Sequence, residues 1–291
     1  MLRQVPEAVW KCGAMQLAPR YGTDPILTLD GDPAVIADPA IRQRRRLVQV
    51  LGSLTAEQWD HPSRCEGWSV RDVVVHLEST NPFWAASIAA GLRGDPTRFL
   101  ATFDPVSSPA QLVAGSTAGW REILDRFTAS TEALVDLWAS LDATQWTALA
   151  EAPPGHISVS AVTHHALWDA WVHERDILLP LGIAPDEEPD EVTVCLRYAV
   201  ALAPALDRCR GVTREGVLGL RTTSPEVKAV VAIADNVSVR AGDGPADLVL
   251  TGESVEVLEA LSVRAALVQP IPPSSAWMVS GLAETFDVAT D

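Results

Sequence analysis

Basic charge is scarce in this 291-residue chain, where 22 Lys and Arg face 38 Asp and Glu for a formal net charge of −16. That excess of carboxylate repels phosphate backbones and anionic lipid, so neither nucleic acid nor a membrane surface is expected as a partner. Cysteine is sparse too. Its four copies, Cys12, Cys65, Cys195 and Cys209, form no C-x-x-C pair and no dense framework. Reduced thiols in a cytoplasmic protein are expected, not a disulfide scaffold. Long apolar runs free of charge and helix breakers are missing, which excludes a spanning helix of about 18 residues or more. The opening Met1-Leu2-Arg3-Gln4-Val5-Pro6 lacks the unbroken apolar core of a secretory signal. Histidine is absent beyond residue 173: His61, His76, His156, His164, His165 and His173 are all there are. Imidazole chemistry is therefore confined to the first part of the chain, where most of the tryptophans also lie.

What is present is helical periodicity followed by short β-rich runs. Residues 1–36 mix Pro, Gly and Asp without a sustained period and read as an extension lying on, or trailing from, the first domain. Residues 37–184 read as a helical bundle. Ile41, Leu47, Val48 and Leu51 recur at helix spacing, with Arg42, Arg44, Arg45 and Arg46 between them as a solvated face. Ser69 followed by Asp72 resembles a capping box opening a helix to about Gly91, which Pro82 should bend or split. One long helix is predicted over 109–141, from Leu112, Trp120, Ile123, Phe127, Leu134, Trp138 and Leu141 at three- and four-residue intervals. Another spans Ser158 to Leu179. Residues 185–291 read as a small α+β domain: a helix over 192–209, strands at 217–222, 227–233, 237–241 and 247–250, and a helix over 253–261. The predicted fold class is thus a two-domain α+β protein with an N-terminal four-helix bundle.

An internal repeat runs through the helical part. Leu51-Gly-Ser-Leu-Thr-Ala-Glu-Gln-Trp59 matches Trp138-Ala-Ser-Leu-Asp-Ala-Thr-Gln-Trp146, and each precedes a loop and a serine-started helix at Ser69 or Ser158. In that register His76 stands opposite His165, and a pseudo-twofold pairing would bring their helices together.

Asp169 and His173 are four apart and share one helix face. Together with His76 from the other helix they make an imidazole, carboxylate, imidazole set, which leaves a coordination position open as catalytic zinc sites do. Left unpaired on apolar helices, such groups would cost several kcal/mol, which a divalent cation offsets. His165 completes a stripe with Asp169 and His173 and reads as a fourth ligand, a partner behind the ligands or a pocket wall, the last two favoured; it or a metal-bound water would shuttle the proton. Trp84 and Trp168, with Trp171, are expected to wall the pocket and bind its small-molecule occupant. Asp176 either orients the His173 ring or is a surface acid. Cys65 reads as a buried structural thiol.

Trp59, the run Cys65-Glu66-Gly67-Trp68-Ser69-Val70-Arg71-Asp72, His76 and Asp169-x-x-x-His173 resemble the mycothiol-dependent maleylpyruvate isomerase family, a branch of the DinB-like metal-binding bundles. The resemblance covers about 38–182, and Gly252 to Arg264 is similar to the family's sterol-carrier-like C-terminal domain. It implies zinc held by His76, Asp169 and His173, mycothiol as cosubstrate and a role for Arg264 as an anion-binding or catalytic arginine. Two departures stand out. The family usually has glutamate at Asp169, and tends to have Gly-Arg where this chain has Val263-Arg264. They point to a paralogue with its own small-molecule substrate. The expectation is therefore a metal-dependent enzyme, monomer or homodimer, that uses mycothiol to isomerise or S-conjugate a small electrophile. The alternatives are a thiol-independent hydrolase, lyase or cyclase on the same metal, and a binder without turnover.

Overall fold

The structure is a computed structural model that describes residues 17–286; Cys12 and the first sixteen residues of the extension lie outside the described residues. In chain order the elements are β1 (Leu27–Leu29), α1 (Ala37–Ser53), α2 (Ala56–Trp59), α3 (Val70–Leu92), α4 (Ser108–Gly115) and α5 (Trp120–Ser140). A hairpin follows, β2 (Leu149–Ala152) and β3 (Gly155–Ser158), then α6 (Val159–Leu178) and α7 (Pro189–Cys209). The chain continues through β4 (Gly216–Thr223), β5 (Val227–Ile233), β6 (Val237–Ala241), β7 (Leu248–Glu253), α8 (Ser254–Leu261) and α9 (Trp277–Thr285). A helical N-terminal region and a C-terminal sheet domain result, as the patterning predicts. No helix among the described residues is long and apolar enough to cross a membrane.

Among the helices, α1 and α3 each pack against both α5 and α6. Their interior holds Leu47, Leu51, Trp59, Val70, Val73, Val74, Leu77, Ile123 and Phe127, the residues whose spacing marks the buried stripes. The serine starts of the two repeat units act alike. Ser69 Oγ accepts from the Asp72 amide in a full capping box, and Ser158 Oγ accepts from the Ala161 amide. Both turns that precede them bury a tryptophan, Trp59 and Trp146.

Three expectations need correction. The predicted helix over 109–141 is two helices, α4 and α5, because the chain opens at 116–119 and Arg71 takes up the freed backbone. Its guanidinium donates to the Ser116 carbonyl at 2.8 Å and to the Ala118 carbonyl at 2.9 Å. The apolar stripe continues across the gap, so periodicity alone does not reveal it. Helix α3, by contrast, runs unbroken through Pro82. The arginine run of α1 is a solvated face only in part: Arg45 is exposed, but its neighbours are not free in water. Arg44 is fully buried, and Arg46 bridges Glu174 of α6 and Glu191 of α7, each at 2.8 Å. These ion pairs bind α1 to the two helices that carry the chain into the second domain.

The sheet order is β1-β6-β5-β4-β7. Strands β4, β5 and β6 form an antiparallel meander, and β7 adds parallel to β4. The far edge is supplied by the extension: Leu27–Leu29 pairs parallel with Val237–Val239. Residues expected on the first domain thus complete the sheet of the second, while Ile26 N donates to the His156 carbonyl of the hairpin. Helix α7 is buried along nearly its whole length, lying against the sheet on one side and against α6, α8 and α9.

His164 is buried inside this assembly, with Nδ1 2.8 Å from the Ser160 carbonyl. Burial pushes its pKa down from 6.5 to about 4. An unfolded chain takes up a proton near pH 6.5 that the native chain refuses until about 4. Stability from this residue is therefore present above pH 6.5 and lost as pH falls to 4, by roughly 3 kcal/mol. In thermal melts between pH 7.5 and 4.5, His164→Leu should lose less of its Tm than the native chain. Equal slopes would refute the assignment.

Candidate metal centre and cavity

Three of the residues singled out in the sequence converge between α3 and α6. Asp169 Oδ1 lies 3.7 Å from His76 Nε2 and 3.6 Å from His173 Nε2. Donors at about 2.1 Å from a tetrahedral zinc are separated by about 3.4 Å, so the set needs only a slight contraction to close on a cation. Two further observations fit a cation: Asp169 Oδ2 and His76 Nδ1 are buried without a hydrogen-bond partner. Unpaired buried groups of this kind are costly unless something coordinates or bonds them. Burial would raise the pKa of Asp169, but His76, His173 and His165 outweigh it and hold the carboxyl well below the usual range.

His173 is oriented from behind. Its Nδ1 is 2.9 Å from Asp176 Oδ2, which leaves Nε2 turned to Asp169. Burial lowers the His173 pKa, yet the bond to Asp176, the Cys65 thiol and the Asp169 carboxylate together raise it to about 10. Asp176, fully buried, is in turn gripped by two arginines. Arg264 Nε donates to its Oδ1 and Arg264 Nη2 to its Oδ2, both at 2.9 Å, while Arg64 Nε donates to Oδ1 at 2.9 Å. Arg64 also reaches Glu259 of α8 at 2.7 Å, as Arg175 does at 2.6 Å. Arg264 thus spends its guanidinium on the carboxylate that holds His173. Cys65 Sγ completes the cluster, 3.2 Å from Asp176 Oδ2.

His165 stands apart from the three converging donors. Its Nδ1 is 2.6 Å from the Tyr198 hydroxyl of α7, and burial drives its pKa down to about 4. The ring sits between Trp84 and Trp168, centroids 5.1 and 5.3 Å away. Trp168 Nε1 donates to Ser262 Oγ at 2.9 Å, whereas Trp84 Nε1 is buried without a partner. Trp171 is buried in the core.

The His76–Asp169–His173 set, His165, Trp84 and Trp168 line a cavity of about 970 Å³, whereas Tyr198, Cys65, Asp176 and Trp171 do not. Its floor is the His76–Asp169–His173 set, and the second domain closes one side with Ser262, Val263 and Arg264. Val263 has φ of 58°, the left-handed region in which a β-branched side chain is strained by about 1–3 kcal/mol. The position where valine replaces an expected glycine is thus one whose backbone favours glycine. On the opposite side the segment after α3 forms a flap. Buried Glu151 of β2 fastens it, accepting from the Thr97 hydroxyl at 2.6 Å and from the Phe99 and Leu100 amides at 2.9 and 2.8 Å.

Sequence reasoning missed Arg64, Tyr198, Glu259 and the flap aromatics. Only Arg64 carried a signal, its place beside Cys65; the others contact the site from 33 to 195 residues away in sequence.

Residues 41–178 match the family described as the mycothiol maleylpyruvate isomerase N-terminal domain. Among curated proteins, no significant sequence match is found. Two solved structures are similar in fold: the mycothiol-dependent maleylpyruvate isomerase and a histidine-to-alanine mutant of it. Each has 17% sequence identity and a TM-score of 0.56, covering 83% of this chain and 95% of the other.

Proposed function

With residues 41–178 a mycothiol maleylpyruvate isomerase N-terminal domain, we propose that the chain is a metal-dependent enzyme using mycothiol. It isomerises a small electrophile, when the added thiol is later expelled, or S-conjugates it, when the thiol stays. The observation that carries this reading is the convergence of His76, Asp169 and His173 in the lining of one large cavity. A divalent cation there, with zinc the metal that this donor set suits, supplies positive charge that lowers a thiol's pKa below its free value of about 8.5.

The chain's own residues do the rest. Asp176, pinned by Arg64 and Arg264, fixes the His173 ring so that Nε2 faces Asp169. Arg264 acts here as a positioning residue. His165, kept neutral by burial and tied to Tyr198 at Nδ1, has Nε2 as the atom through which a substrate proton passes. Trp84, Trp168 and the flap exclude water, which prolongs a reactive thiolate. A mycothiol enzyme of this type works where the thiol pool is, in the cytoplasm.

Thiol dependence tests the reading. Purified protein, analysed for metal, should carry about one zinc per chain and consume an enone only when mycothiol is present. Turnover unchanged without thiol would replace this reading with a hydrolase on the same ligands. Protein without metal and without turnover would leave a binding function.

A further inference from the structure

We infer that the substrate of this cavity is a bulky, predominantly apolar molecule, not a small dicarboxylate; the inference rests on the cavity being the substrate site of the proposed reaction. Three observations point the same way.

The first is size. At about 970 Å³ the cavity lies at the upper end of the range for drug-sized ligands, about 300–1,000 Å³. It has room for about thirty waters at ~30 Å³ each. That volume admits a bulky substrate beside the thiol cosubstrate of the proposed reaction, whereas a diacid of a few carbons fills only a small part of it.

The second is charge. Among the described residues lining the cavity, Arg264 is the only arginine and there is no lysine. Its guanidinium is already committed to Asp176, and Arg64 shares the same carboxylate. The lining also includes Glu66 and Asp169. A dianion would therefore meet no unpaired cationic side chain; the proposed metal could take one carboxylate, and the second would give up its hydration for little in return.

The third is the wall. Phe83, Phe103, Val106, Leu202 and Leu206 contribute apolar surface to the lining. At the mouth Phe99, Leu112 and Phe286 are 47%, 48% and 49% exposed. Large apolar side chains gathered on one rim mark a binding surface, and an apolar ligand that reaches from floor to rim would cover them.

N-phenyl-1-naphthylamine, a neutral fluorescent probe, and maleate, a small dianion, separate the alternatives on the purified metal-bound protein. The probe should bind saturably, at least tenfold more tightly than maleate binds by calorimetry. Val106→Glu and Phe103→Ser, both at half-buried positions, should each weaken the probe by about tenfold or more while thermal melts stay close to native. Maleate binding as tightly as the probe would overturn the inference. So would probe binding that neither variant weakens, since the probe would then sit elsewhere. Because neither thiol nor turnover enters this measurement, its failure leaves the proposed reaction standing. Loss of thiol dependence would overturn that reaction without altering the probe result.

Discussion

Asp169→Ala is expected to purify with less than a tenth of the native metal content and to lose at least a hundredfold in thiol-dependent turnover. Its Oδ1 lies between His76 and His173, within 3.7 Å of both, so its removal takes away the one anionic donor and leaves two imidazoles on separate helices. Even loss of an outer partner of a metal ligand costs about 10–100-fold in metal affinity or activity, and a direct donor should cost more. Asp169→Glu keeps the carboxylate one methylene further out and should retain most of the metal. The affinity should also fall as pH falls, because a proton competes with the cation at His173 Nε2. Against the effect of burial, the bond to Asp176 and the nearby Asp169 carboxylate raise its pKa, which strengthens that competition. Full metal content in Asp169→Ala, measured by elemental analysis, would show that these residues are not a metal centre.

Asp176→Ala should have the second large effect, and on stability as well as on the site. The carboxylate is inaccessible to solvent, and Arg64 and Arg264 both close on it with side chains about a quarter exposed. Removing one partner from a buried pair costs about 3–5 kcal/mol, because the remaining charge stays buried. Arg64 keeps Glu259 and both guanidinia reach some water, so about 3 kcal/mol is the expected loss in urea unfolding. His173 loses the bond at Nδ1 at the same time, and metal affinity should drop by about 10–100-fold. Asp176→Asn keeps an acceptor for Arg264 and should fall between. A variant with native urea midpoint and native metal content would remove Asp176 and its arginines from the account of the site.

The convergence of His76, Asp169 and His173 was legible because it is written in local terms. Asp169 and His173 are one helical turn apart, and His76 occupies the same place after Ser69 as His165 does after Ser158. The helices and the strand meander were legible for the same reason: their periods and caps are local. What the sequence did not disclose depends on distant partners. No spacing rule links Tyr198 to His165, or Glu259 to Arg64. The break between α4 and α5 was hidden because Arg71, more than forty residues upstream, substitutes for the missing helical bonds. The charges of Arg42 and Arg46 read as water-facing because their partners Glu174, Asp190 and Glu191 follow more than 120 residues later, as does the Ala166 carbonyl that Arg44 donates to. The domain-spanning course of residues 17–36 was invisible for a simpler reason. Three residues of strand carry too little pattern to register.

That short strand has a practical consequence. Leu27–Leu29 caps the open side of β6, and Asp30 fastens the same border by accepting from the Ala241 amide at 3.0 Å. Were a protease or a shortened clone to delete it, a row of β6 amides and carbonyls would lie bare, a ready template for pairing with another chain. Self-association of such a trimmed protein would then report a lost edge guard, and should not be mistaken for a natural dimer.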